Sequence, residues 1–141
     1  MKNTTTLFLA LLFSFGLLGQ SQTWETINGI PDGIHHPVTF AIGDYGYSVT
    51  GVSSFGVETD NAHRYNPLTD NWSTLPDFPG GARGFAIGLS YKGYGYLGFG
   101  ASSSQYYKDL WRFDTSNNQW TQLAACGCVG RRHPALMAAN D

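Results

Sequence analysis

Three tryptophans set the scale of this chain. Trp24, Trp72 and Trp120 follow one another at intervals of 48 residues, and each opens a related phrase, "WETI", "WSTL" and "WTQL", with an aliphatic side chain three residues on. Self-similarity at such a period marks a repeat architecture and has to be settled before any local reading. Ahead of the second and third Trp lie "RYNPLTDNW" and "RFDTSNNQW", each an Arg, an aromatic, an Asn or Asp and a polar turn. Further upstream stand "YGYSVTG" and "YGYLGFG", and before those a shared "FAIG". The closing string "GRRHPALMAAND" repeats "GIHHPVTFAIGD", 97 residues earlier, with His-Pro and the final Asp in matching places.

The unit therefore holds four short apolar segments separated by turn residues. They fall at 38–43, 45–51, 62–66 and 71–75 in one copy and at 84–90, 94–100, 109–114 and 119–123 in the next. Four strands of this length with short connections predict one antiparallel sheet per repeat. One stretch argues otherwise: in "QYYKDLWRF", Tyr106, Leu110 and Phe113 fall at helical spacing. Its counterpart "NAHRYN" has no such stripe, so the repeat decides for strand.

The Trp phrase also states what each sheet must touch. Residues i and i+3 of a strand point to opposite faces, so Trp72 and Leu75 make one sheet apolar on both sides. Such a sheet must lie between neighbours, with about 1.5–3 kcal/mol gained for each Trp or Leu buried. Copies stacked radially around an axis satisfy both faces at once. The expected fold is all-β, a β-propeller of four-stranded antiparallel blades. Charged residues are scarce at 13%, while 18 glycines and 15% aromatics suit tight turns and stacked rings.

The phrases "YSVTG…RYNPLTDNW" and "YLGFG…WRFDTSNNQW" resemble kelch repeats, in which a strand ends in glycines, an aromatic precedes a turn, and a Trp follows. The resemblance covers nearly all of 24–141. It assigns structural places to Trp24, Trp72 and Trp120, to Tyr47 and Tyr96, to Tyr65 and Phe113, and to Gly51 and Gly100. The family's usual Gly-Gly is Thr50-Gly51 in one copy and Phe99-Gly100 in the other. The resemblance also implies that the first strand of each unit lines the axis, where "FAIG" and "ALMAA" are suitably small. The repeats then run over 24–72, 72–120 and 120–141. Residues 24–27 are expected to form a lone fourth strand and the closing "HPALMAAND" a lone first strand, flanking two complete blades. Rings carry about four to eight blades, so closure calls for further blades of a longer chain or for association of several short ones. The stop inside a hairpin favours an N-terminal fragment.

Residues 1–21 read as an export signal: Lys2, an apolar or small run over 7–18, and small residues at Gly19 and Ser21. The run is shorter than the roughly 20 residues a membrane-spanning helix needs. The mature chain, from about Gln22, is expected to be secreted, periplasmic or at the cell surface, without a membrane span. Beyond Lys2, seven basic residues face ten acidic ones with no basic patch, which argues against nucleic acid as a partner. Cys126 and Cys128 stand two apart in "ACGC". They read either as a strained local bridge or as bonded to cysteines outside this chain.

Kelch propellers generally bind through loops on one face around the channel. The resemblance points to the loop entering each first strand and to the loop between the second and third strands. The entering loops hold Asp32, His35 and His36, then Arg83, then Arg131, Arg132 and His133. An Arg at such a mouth pairs bidentately with a carboxylate or phosphate; the alternative is that these side chains bind neighbouring blades. His35 and His36 point apart if extended and so do not share one ion. One His per blade would need further blades to make a metal site, so no metal or other cofactor is assigned. The second loops, "VSSFGVETDNA" and "ASSSQYYKD", offer Phe55, Tyr106 and Tyr107 either for stacking on a sugar or protein partner or for folding back on the blade edge. Asn71-Trp72-Ser73 matches a glycan acceptor but lies on an expected buried strand. No catalytic motif is present. A scaffold binding a protein or carbohydrate is the first reading. The front of a kelch enzyme is the second, such as a copper oxidase resembling galactose oxidase or a sialic-acid isomerising enzyme. A structural module presenting other domains is the third.

Overall fold

The computed structural model describes residues 23–139, and the expected signal peptide lies outside them. Among the described residues nine strands form two antiparallel sheets. The first contains β1 (Ile34–His35), β2 (Val38–Ile42), β3 (Tyr45–Ser53), β4 (Glu58–Asn66) and β5 (Asn71–Leu75). The second runs in order through β6 (Ile87–Tyr91), β7 (Tyr94–Gly98), β8 (Leu110–Asp114) and β9 (Gln119–Leu123). Both β1 and β2 pair with β3, so together they are one edge strand broken at His36-Pro37. Pro37 has no N–H for the ladder, and His36 takes a φ of 53°. The second sheet breaks at the matching place. Phe85 takes a φ of 60°, while Gly84 and Ala101 exchange backbone hydrogen bonds at 2.9 Å ahead of it.

The turns follow from their residues. Gly43-Asp44 and Lys92-Gly93 are two-residue hairpin connections, which need positive φ; Gly43, Lys92 and Gly93 supply it at 57°, 48° and 81°. Asp70 and Asn118, residue types that tolerate the left-handed region, close the polar turns before β5 and β9 at φ 49° and 55°.

The core lies between the sheets. Val38, Phe40, Tyr47, Val49, Ala62, Leu75 and Phe78 meet Leu97 and Phe113, with Trp111 and Trp120 packed against them. Rings carry the contact across: Phe40 stacks on Tyr47 at 5.5 Å, Tyr47 meets Phe113 edge-on at 5.7 Å, and Phe78 lies 4.9 Å from Trp120. The sheets touch through β2, β6 and β7, so the first strands are innermost, as in adjacent propeller blades. Gly88 permits that approach, since a Cβ there would sit 2.4 Å from Val38 Cγ1. The repeat glycines tie blade to blade. Gly51 N–H donates to the Arg83 carbonyl at 2.9 Å, and Gly100 N–H to the Arg131 carbonyl at 3.0 Å.

Seven of the eight expected segments match observed strands within two or three residues; the third strand of the first blade begins four residues early, at Glu58. Leu110–Asp114 is a strand despite its helical stripe. Leu75 faces the core, while Trp72 pairs with Tyr65 on the other face at 5.1 Å. The two terminal part-blades differ from expectation. Residues 24–27 form no strand and Trp24 is fully exposed, because among the described residues no neighbouring strand hydrogen-bonds them. The segment docks instead through Asn28, whose N–H donates to Asp70 Oδ1 at 2.9 Å and whose carbonyl accepts from Trp72 Nε1 at 2.8 Å. Residues 134–139 likewise form no strand, but lie along Leu89, Tyr96 and Leu110 of the second blade.

Candidate functional site

The cationic residues expected at one mouth separate into two groups. Arg83 has no exposed surface. Its guanidinium binds both carboxylate oxygens of Asp109, at 2.6 and 3.0 Å, and donates to the carbonyls of Phe99 at 3.1 Å, of Gly81 at 3.2 Å, and of Gly80. The ring of Tyr107 covers it, with its centroid 3.5 Å from the guanidinium carbon, and Asp109 also accepts from Trp111 Nε1 at 2.8 Å. Arg83 is thus withdrawn from any ligand, and Tyr107, half-buried, packs over it. They fasten the linker between the blades to the loop before β8, which is the structural alternative weighed above.

The second group gathers three successive inner segments at one point. His36, Phe85 and His133 occupy the same repeat position, each at the break in its inner segment and each with positive φ, 53°, 60° and 46°. Their rings meet: His36 to Phe85 at 4.5 Å, Phe85 to His133 at 5.2 Å and His36 to His133 at 5.7 Å. Positive φ turns these side chains out of the strand direction, which is how successive blades bring them together. It also corrects the expectation for His35 and His36. The pair is not extended, and the two Nδ1 atoms lie 2.6 Å apart in a hydrogen bond, one donating and one accepting. Arg132 lies over the Phe85 ring at 5.0 Å and the Tyr106 ring at 5.5 Å. His35, His36, Arg132, His133 and Tyr106 are exposed, and Phe85 is half-buried.

This mouth presents a guanidinium between two aromatic rings, flanked by three imidazoles. The two carboxylates nearest in sequence are engaged elsewhere. Asp109 is held by Arg83. Asp32 accepts from Asn61 Nδ2 at 2.6 Å and meets His63 Nε2 at 2.9 Å; the Asn61 hydrogen bond first, and then His63, hold its pKa below the ordinary 3.8. His63 is buried, and its Nδ1 has no hydrogen-bond partner among the described residues. Phe55 stands apart, 91% exposed at the rim of a separate groove lined by Asp32, Ser53 and Asn61. Among the described residues no three His, Cys, Asp or Glu side chains gather into a metal-sized group. Asn71, expected on a buried strand, is exposed at the start of β5, an outer edge strand.

Sequence reasoning missed Phe85, Asp109 and the Asp32–Asn61–His63 cluster. Phe85 was within reach, since it stands 49 residues after His36 and 48 before His133. Asp109 carries no such mark. Its counterpart 48 residues earlier is Asn61, which donates to Asp32, and the residue matching Arg83 is Ile34, so the two blades hold different pairs at this place.

No family model matches the chain. Kelch-like protein 21 of Rattus norvegicus and that of Bos taurus are each 36% identical to it over 64 residues, 43% of this chain and 10% of theirs. The match therefore spans about a tenth of the length of these curated relatives. The solved structure of YjhT superimposes with a TM-score of 0.70 at 19% identity, covering 80% of this chain and 45% of that one; the likeness concerns the fold. No helix among the described residues is long and apolar enough to cross a membrane.

Proposed function

From the premise that this chain is built of kelch repeats, we propose that it is a binding scaffold whose channel mouth receives a carboxylate-bearing group of a protein or carbohydrate partner. The kelch propeller supports a binding role in general. The observation that carries the finer reading is the meeting of His36, Phe85 and His133 from three successive inner segments, with Arg132 lying over Phe85 and Tyr106. A guanidinium seated on rings keeps its edge free to pair bidentately with a carboxylate, and imidazoles beside it donate further hydrogen bonds.

Further blades are part of this proposal. The second blade's Leu89, Tyr96 and Leu110 form an apolar face that, among the described residues, is lined further by 136–139 and Tyr91, whereas the corresponding face of the first blade is sealed by a whole sheet. Blades of the same chain, or of a second copy, would complete the mouth. Export is proposed with it: the Cys126–Cys128 bridge accords with an oxidising compartment.

An array of acidic peptides and acidic glycans tests the reading. Binding to carboxylate-bearing members is expected, weakened at least ten-fold by Arg132→Ala and unchanged by Phe55→Ala. A blank array, or binding indifferent to Arg132, contradicts it.

A further inference from the structure

The loop from β9 toward the third inner segment carries a disulfide between Cys126 and Cys128, with Cα atoms 5.1 Å apart. A bridge closing so short a ring restrains the unfolded chain very little, because that restraint grows with loop length. Stability therefore does not account for it. Its surroundings point to chemistry instead.

Both half-cystines are partly exposed, but they are not equivalent. Cys128 lines an open groove with Gln105, Tyr106, Lys108 and Val129, whereas Cys126 is absent from its walls. The Cys128 backbone N–H donates to Cys126 Sγ at 3.1 Å. A donor aimed at a sulfur stabilises negative charge there, and in thiol–disulfide exchange the better-stabilised thiolate leaves faster. Access and leaving-group stabilisation thus select opposite sulfurs, as exchange at one defined atom requires. The loop is also pinned on both sides of the bridge. Cys126 N–H donates to the Lys108 carbonyl at 3.0 Å and Arg131 N–H to the Tyr107 carbonyl at 3.2 Å, so the sulfurs can exchange while the blade stays folded.

We propose that Cys126–Cys128 is a thiol-exchange site for low-molecular-weight thiols, with attack at Cys128. The incoming thiolate forms a bond to Cys128 Sγ while the Cys126–Cys128 bond breaks. The bonding pair leaves on Cys126 as a thiolate, facing the Cys128 N–H. The product carries a mixed disulfide on Cys128 and a free thiol at Cys126. One disulfide replaces another, so no external oxidant is consumed. Attack by Cys126 on the mixed disulfide restores the ring and releases the small thiol.

Glutathione provides the test. Folded, oxidised protein is incubated with it at neutral pH, quenched with an alkylating agent and mapped by peptide mass spectrometry. The glutathione adduct is expected on Cys128 and the alkyl group on Cys126, in about ten-fold excess over the reverse arrangement. Adducts shared equally or concentrated on Cys126 overturn the proposal. So does an absence of adduct under conditions in which a free peptide of residues 124–131, carrying the same bridge, reacts.

Discussion

Arg83 grips Asp109 through both terminal nitrogens, at 2.6 and 3.0 Å, from a position with no exposed surface. The pair joins the linker between the blades to the loop before β8. Carbonyls of Gly80, Gly81 and Phe99 satisfy the rest of the guanidinium. Removing one partner of a buried pair leaves an uncompensated charge, which costs about 3–5 kcal/mol. Asp109→Ala is therefore expected to lower unfolding free energy by that amount in a denaturant titration. A loss under about 1 kcal/mol, the range of an exposed pair, would show that the guanidinium is solvated.

Phe78 is the apolar counterpart of that fastening. It is 1% exposed, touches Trp111 and Trp120 edge-on, and lies 5.0 Å from the Arg83 guanidinium carbon. Phe78→Ala leaves a cavity between the blades and is expected to cost about 3–5 kcal/mol. Near-UV circular dichroism should register the freed indoles. An unchanged spectrum contradicts the packing.

Thr50 predicts a gain. Its φ is 61°, a conformation costly for a β-branched residue, and its buried hydroxyl has no hydrogen-bond partner among the described residues. Thr50→Gly relieves both and is expected to stabilise by about 1 kcal/mol, despite the greater chain entropy of glycine. Thermal unfolding decides it, and a lowered midpoint would refute the strain.

Asp32 sets an acid limit. Its folded pKa lies below 3.8, held there first by the Asn61 hydrogen bond and then by His63. The unfolded chain binds this proton more tightly. The associated stability is thus complete well above pH 3.8 and is lost as pH falls through the depressed folded value. The carboxyl is partly solvent-exposed, so the effect is modest. Asn61→Ala should raise the Asp32 pKa toward 3.8 in a carboxyl-carbon NMR titration. An unmoved value would mean that Asn61 does not donate to it.

The architecture was legible because it is written in periodic residues. Trp72 and Trp120, Tyr65 and Phe113, and Gly51 and Gly100 recur at nearly constant spacing, and each pair takes equivalent places in the two blades. The mouth was only half legible. Its histidines stood out, but their meeting depends on the positive φ of His36, Phe85 and His133, and no residue type there announces it. Arg83 was misplaced for a related reason. A cation in an entering loop looks the same in sequence whether it faces a channel or an Asp, and the deciding partner lies 26 residues away. The terminal part-blades failed physically: 24–27 and 134–139 keep the strand pattern, but among the described residues they have no hydrogen-bonding neighbour strand.

The central claim is that three successive inner segments bring His36, Phe85 and His133 into one ring cluster. Proton NMR of the folded protein with labelled His and Phe rings tests it directly. Ring-to-ring nuclear Overhauser effects are expected for all three pairs, whose centroids lie 4.5–5.7 Å apart. Effects confined to His35 and His36, with none to Phe85 or His133, would contradict the mouth and the binding role built on it.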